Sequence, residues 1–148
     1  MDRTHLLRTE PRVLTTPEYC AENFPDDSEL RDTVQLLRRI PPWHFFFDEN
    51  LGRVRPSSAA FEDDKDGDPM SVYRRNVIDR EAADVRRVLK GNEGYALASL
   101  RAEAFRSKSQ TVFPNPLPEE SSHANVCGSK TDGNRRWFAK QAAWAVPP

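Results

Sequence analysis

Residues 123–136, HANVCGSKTDGNRR, place a histidine, a cysteine, a lysine, a threonine and two adjacent arginines within fourteen positions. A strand ending at Gly128, followed by a turn and a helix through Arg135 and Arg136, would set free backbone N–H groups at the helix start. Such a start attracts anions, and Lys130, Arg135 and Arg136 would add charge around it. Lys130 would serve as a point charge, whereas an arginine fork grips two phosphate or carboxylate oxygens together. Thr131 adds a hydroxyl to the same turn. His123 is the group able to carry a proton near neutral pH or to donate to a phosphate. The competing reading leaves both arginines solvated while Trp137 and Phe138 pack, and makes His123 structural. Four strand residues span roughly 13 Å, too far for a thiolate–imidazole pair between Cys127 and His123. Cys127 therefore reads as a small buried apolar residue.

A second constellation is RVRPSSAAF, residues 53–61. Arg55 before a proline-led turn could present the Ser57 and Ser58 hydroxyls and N–H groups to an anion; the plainer reading is helix capping by either serine. His44, in the aromatic run WHFFF, is either packing at the core edge or the far wall of a pocket. If His44, Arg55 and His123 converge, two histidines and an arginine surround one anion.

Other motifs fail on spacing. Ser129 separates Gly128 from Lys130, and His123 stands where the other glycine of a P-loop belongs. Counting a calcium loop from Glu62 in EDDKDGDPMSVY puts Tyr73 where the bidentate glutamate is needed and Pro69 at position 8. A solvated acidic turn fits better. Three histidines and two cysteines show no zinc spacing.

The elements that would position these groups follow from period and punctuation. Prolines 11, 17 and 25 mark residues 1–25 as an arm, ordered by packing of Tyr19 and Phe24. DDSELRDTVQLLRRI (26–40) reads as a helix, with acidic residues first, arginines last, and Leu30, Val34 and Leu37 on one stripe. WHFFF and RVR, joined by five residues, read as a hairpin. SVYRRNVI is ambiguous between strand and helix. Residues 79–91 read as a helix with Ala82, Val85, Val88 and Leu89 buried and Gly91 in a left-handed position. GYALASLRAEAFRSKS is either one amphipathic helix or a strand leading into a short helix. The proline-punctuated stretch 111–122 should run extended. HANVC and AAWAV read as strands around a short helix or hairpin arm.

Composition bounds the class. The chain has 148 residues, 37% apolar and 30% charged, with eight Phe, three Trp and three Tyr. Its mean hydropathy is −0.76. One modest core is expected. The net charge of −1 hides a gradient: −4 over residues 1–50, 0 over 51–100 and +3 over 101–148. A generic polyanion binder would be far more basic. Cys20 and Cys127 make no disulfide framework and no CxxC motif. The opening MDRTHLLRTEPRVLTT lacks an apolar h-region, so no secretory leader is expected, and a cytoplasmic setting with reduced thiols follows.

The expected architecture is α+β. It has an arm over 1–25 and a single mixed domain over 26–148, a short, mostly antiparallel sheet packed against two or three helices. The leading function is a small recognition or accessory module. It would bind a nucleotide, another phosphate-bearing molecule or an acidic protein partner through Lys130, Thr131, Arg135 and Arg136, helped by Arg55, Ser57 and Ser58. One alternative is a metal-independent phosphotransfer, nucleotidyl or RNA-cleaving enzyme with His123 and His44 as acid and base. Another is a scaffold subunit docking through PNPLPEE and the arm. No cofactor, metal or membrane contact is expected, weak RNA contact stays open, and oligomeric state is not readable.

Overall fold

A computed structural model describes residues 13–65 and 68–148. The first twelve residues of the expected arm, and Asp66 and Gly67 of the acidic loop, lie outside the described residues. Thr15 opens α1 (Thr16–Asn23) with a reciprocal cap: its side chain accepts from the Glu18 N–H, and the Glu18 carboxylate accepts from the Thr15 N–H. There follow β1 (Gln35–Ile40), β2 (Phe45–Asp48), β3 (Arg53–Pro56), β4 (Met70–Arg74), α2 (Arg75–Arg80), β5 (Ala96–Arg101) and α3 (Ala102–Arg106). The chain ends with β6 (Thr111–Pro114), β7 (His123–Cys127), α4 (Asp132–Gln141) and β8 (Ala143–Val146). Six strands form an antiparallel sheet in the order β6-β7-β4-β1-β5-β8, and β2 with β3 makes a separate hairpin. This is the α+β class that the sequence implies.

Period-two alternation sorts the core onto two faces. Leu36, Ile40, Met70, Val72, Ala98 and Val126 share one cluster with the fully buried rings of Phe61, Phe105 and Phe138. Leu37, Tyr73, Leu97 and Val146 pack on the other with Ile78, Val85 and Val88.

The helix expected over 26–40 does not form. The stretch makes two turns and then runs as β1. The Asp27 carboxylate accepts from the Glu29 N–H, and Arg106 binds the Asp26 and Asp32 carboxylates and the Asp27 carbonyl. Acidic residues that suit a helix start are thus used to pin a loop. Leu36 and Leu37 point to opposite faces and are both fully buried, as in a central strand covered on both sides. Such a run carries no period-two signal, and its accidental stripe mimics a helix.

The helix expected over 79–91 is also shorter and split. α2 stops at Arg80, Ala82 turns the chain at φ 56°, and a 3-10 turn covers Val85–Leu89. The Ala83 N–H donates back to the Ile78 carbonyl, which ends the helix. Gly91 takes φ 82°, the left-handed position expected of it. The ambiguous stretches resolve as strand then helix in both cases, at β4–α2 and β5–α3.

Cys20 and Cys127 are joined by a disulfide, with Cα atoms 5.7 Å apart. Cys127 is therefore not a free apolar thiol, and the expectation of reduced cysteines is corrected. A separation of 107 residues says nothing about distance once β7 enters the sheet beside α1. Phe24 also anchors this segment, stacked on Phe113 with ring centroids 5.1 Å apart.

Candidate functional site

The basic turn and the acidic loop are each other's partners. Glu62, Asp63 and Asp64 follow the 3-10 turn Ser58–Phe61, and each meets a different cation. Glu62 pairs with Arg135 of α4 at 2.9 Å, Asp63 with Lys130 at 2.9 Å, and Asp64 with Arg38 of β1 at 3.4 Å. The loop is largely exposed, as its composition suggests, but its first three carboxylates are paired with cations rather than free.

Arg38 sits in this seam for a structural reason. β1 and β4 pair only through Leu36–Arg74 and Leu37–Tyr73. Beyond that point the guanidinium fills the gap, donating to the Ala60, Ser71 and Glu62 carbonyls and to Asp64. Burial pushes its pKa down, against the opposing pull of Asp64. Lys130, with a side chain only 6% exposed, spends its three donors on Asp63 and the Val126 and Gly128 carbonyls. Burial also lowers its pKa, with Asp63 opposing.

At the start of α4, Thr131 caps by accepting from the Asn134 N–H. Asp132 supplies the negative charge in the first turn and binds Arg135, whose remaining donors reach Glu62 and the Lys130 carbonyl. The expected anion position is thus served by the chain's own carboxylates. Arg136 alone of the basic cluster is exposed and without a partner among the described residues. Gly128 is needed here because a Cβ would lie 2.5 Å from the Gln110 side chain.

His123 is buried, with its ring edge toward Tyr73. Its Nδ1–H donates to the Asn115 carbonyl at 2.7 Å, and Nε2 lies 3.0 Å from Ser71 Oγ, which donates to Asp64 at 2.5 Å. Both ring nitrogens are engaged, so His123 knits the loop after β6 to the seam.

The hairpin residues lie elsewhere. Arg55 binds Asp48 at 2.5 Å and the Pro56 carbonyl, and its guanidinium stands 4.7 Å over the Phe46 ring. The Arg55 hydrogen bond, helped by the Leu51 and Asn50 N–H groups, holds the Asp48 carboxyl below its ordinary range. The Ser57 N–H donates to the His44 carbonyl, and its hydroxyl makes no capping bond. Ser58 begins the 3-10 turn, half-buried. The His44 ring rests edge-on to Trp43.

His123, Lys130 and Arg135 are thus linked through the acidic loop, whereas His44 and Arg55 share the hairpin. Five of the clefts formed by the described residues span about 260 to 660 Å³, and none of these is lined by His44, Arg55 or His123. The largest of these five, about 660 Å³, lies among β5, α3 and α4 and is lined by Trp137, Arg101, Glu103, Ser99 and Gln141. Among the described residues, no group of three or more His, Cys, Asp or Glu side chains is placed to hold a metal, and no helix is long and apolar enough to cross a membrane.

What sequence reasoning missed is the hairpin's surface. Trp43 is 71% exposed, Phe47 59%, Leu51 48% and Phe46 43%. The signal was present: three consecutive phenylalanines on a strand cannot all face one core. Phe45 packs edge-on to Trp144, and Phe46 and Phe47 are left outside. No family model, curated protein or solved structure matches the chain, so its functional reading rests on this geometry.

Proposed function

We propose that this chain is a protein-recognition or accessory module whose docking element is the β2–β3 hairpin with Trp43 ahead of it. The supporting observation is concentration. Four of the six exposed large apolar side chains among the described residues fall within Trp43–Leu51, and the other two, Val13 and Tyr19, belong to the N-terminal segment. Clustered exposed aromatics mark interaction surfaces, whereas scattered ones do not. The disulfide favours an oxidising setting over the cytoplasm for the folded chain. Replacing Trp43 and Phe47 together by serine, in the full chain expressed in cells, should collapse its native complexes to monomer without changing its melting temperature. Complexes of unchanged size would overturn the proposal.

The anionic-ligand reading keeps one specific support. Arg101, exposed and free of side-chain partners among the described residues, stands with Trp137 at the 660 Å³ cleft. An aromatic anion could stack there and pair with the guanidinium. Titration of nucleotides against Trp137 fluorescence tests it: saturable quenching lost in Arg101→Ala supports this reading, and a flat titration removes it.

A further inference from the structure

Resting on the hairpin reading, we propose that the hairpin's partner is a second copy of this chain, joined by antiparallel pairing of β2 with itself about Phe46.

The backbone supplies the first argument. β2 pairs with β3 on one side only. The Val54 carbonyl accepts from Trp144 Nε1, so it points away from β2, and the Val54–Phe47 pair is one that exchanges no backbone bonds. Phe45 stands two residues earlier, opposite Pro56, which has no N–H to give. Phe45 and Phe47 therefore direct their N–H and C=O groups to the open edge. Among the described residues, no hydrogen bond meets them there. An exposed, unprotected edge carrying bare aromatic rings is a template for strand addition.

The register is the second argument. A twofold axis through Phe46 places Phe45 opposite the partner's Phe47, and the partner's Phe45 opposite Phe47. Both are pairs of the kind that exchange two bonds, so four hydrogen bonds use every outward group of both strands. Phe46 meets the partner's Phe46 in the close, non-bonded pair, on the face where Arg55 already covers its ring.

The sequence HFFFD is self-complementary about its centre. His44 and Asp48 fall opposite each other at the two ends, and the Asp48 carboxylate is already neutralised by Arg55, so no like charges oppose across the axis. Centring the axis on Phe47 instead sets Asp48 and Glu49 against phenylalanines. Centring it on Phe45 leaves the Phe47 groups beyond the strand. Only the Phe46 register uses every outward backbone group while keeping rings against rings.

The area sets the strength. With roughly 150–250 Å² per aromatic side chain, the exposed fractions of Trp43, Phe46 and Phe47 offer roughly 300–400 Å² per copy. Stable interfaces bury about 1,200–2,000 Å² in total, so the pairing is a weak, concentration-dependent one.

Sedimentation of the full chain from low micromolar to near-millimolar concentration should show a monomer–dimer equilibrium. Phe46→Lys, which sets two like charges across the axis, should abolish it, and Phe46→Ser, which adds no charge beside Arg55, should weaken it without unfolding the chain. Under mild oxidation Phe46→Cys should give a covalent dimer on a non-reducing gel, and Phe47→Cys should not. A wild-type chain that stays monomeric throughout overturns self-pairing, while leaving docking on another protein to the Trp43 and Phe47 experiment above. A dimer that survives Phe46→Lys overturns self-pairing and counts against the hairpin as the docking element.

Discussion

The seam around Glu62–Asp64 and the hairpin around Phe45–Pro56 invert what their compositions suggest. The seam brings charges of opposite sign together and matches them internally: three carboxylates, three cations, and backbone carbonyls for the remaining donors. The hairpin reads as an ordinary aromatic strand pair, yet it leaves rings and an edge of backbone uncovered. A charged cluster is therefore weak evidence for a ligand when the same chain carries an opposite cluster free to fold onto it. An apolar side chain left in water has no such internal explanation, and it points outward to a partner.

The contrast breaks most visibly under substitutions on the seam's side. Removing the disulfide with Cys20→Ser and Cys127→Ser, beside β7, should cost about 4–5 kcal/mol, given the loop it closes, in urea denaturation. Arg38→Met should cost roughly 1–3 kcal/mol, because three carbonyls and the partly exposed Asp64 lose their shared donor. Gly128→Ala should cost about 1 kcal/mol, since only the Gln110 amide and its hydrogen bonds to the Lys108 and Ser129 carbonyls must shift.

Acid should loosen the hairpin and the contacts that Glu81 and Glu120 make with Arg87. The Asp48 carboxyl sits below its ordinary range through Arg55, and that of Glu81 does so through Ser121 and Arg87. Burial pushes Glu120 up, but Arg87 and Ser122 outweigh it and leave it lowered. Each folded pKa lies below the unfolded one, so the stabilisation is complete above the unfolded value and fades as pH falls toward the folded one. Melting temperature should drop between about pH 5 and pH 3.

The smallest stability effect belongs to the hairpin. Trp43→Ser and Phe47→Ser should each change unfolding free energy by less than about 0.5 kcal/mol, while weakening association. A large loss of stability from either would erase the contrast.

Local chemistry was readable wherever neighbours in sequence are also neighbours in space. The hairpin with Asp48 opposite Arg53, the extended stretch beginning at Thr111, the strand over His123–Cys127 and the left-handed Gly91 all follow from adjacent residue types. Residues 26–40 misled because their fate depends on Arg106 and on cover for both faces of β1, neither visible in the stretch itself.

By itself the sequence determined the α+β class, four of the eight strands outright, and the inventory of charges. Only the tertiary structure decided how those charges are spent. Pairing Glu62 with Arg135, Asp63 with Lys130 and Cys20 with Cys127 requires segments 67 to 107 residues apart to meet. Propensity and spacing act over a few residues, whereas Coulomb attraction, desolvation and covalent bonding act between whatever the fold brings within a few ångströms. The aromatic side chains of the hairpin were legible as residues, but their exposure became a fact only when the sheet closed without them.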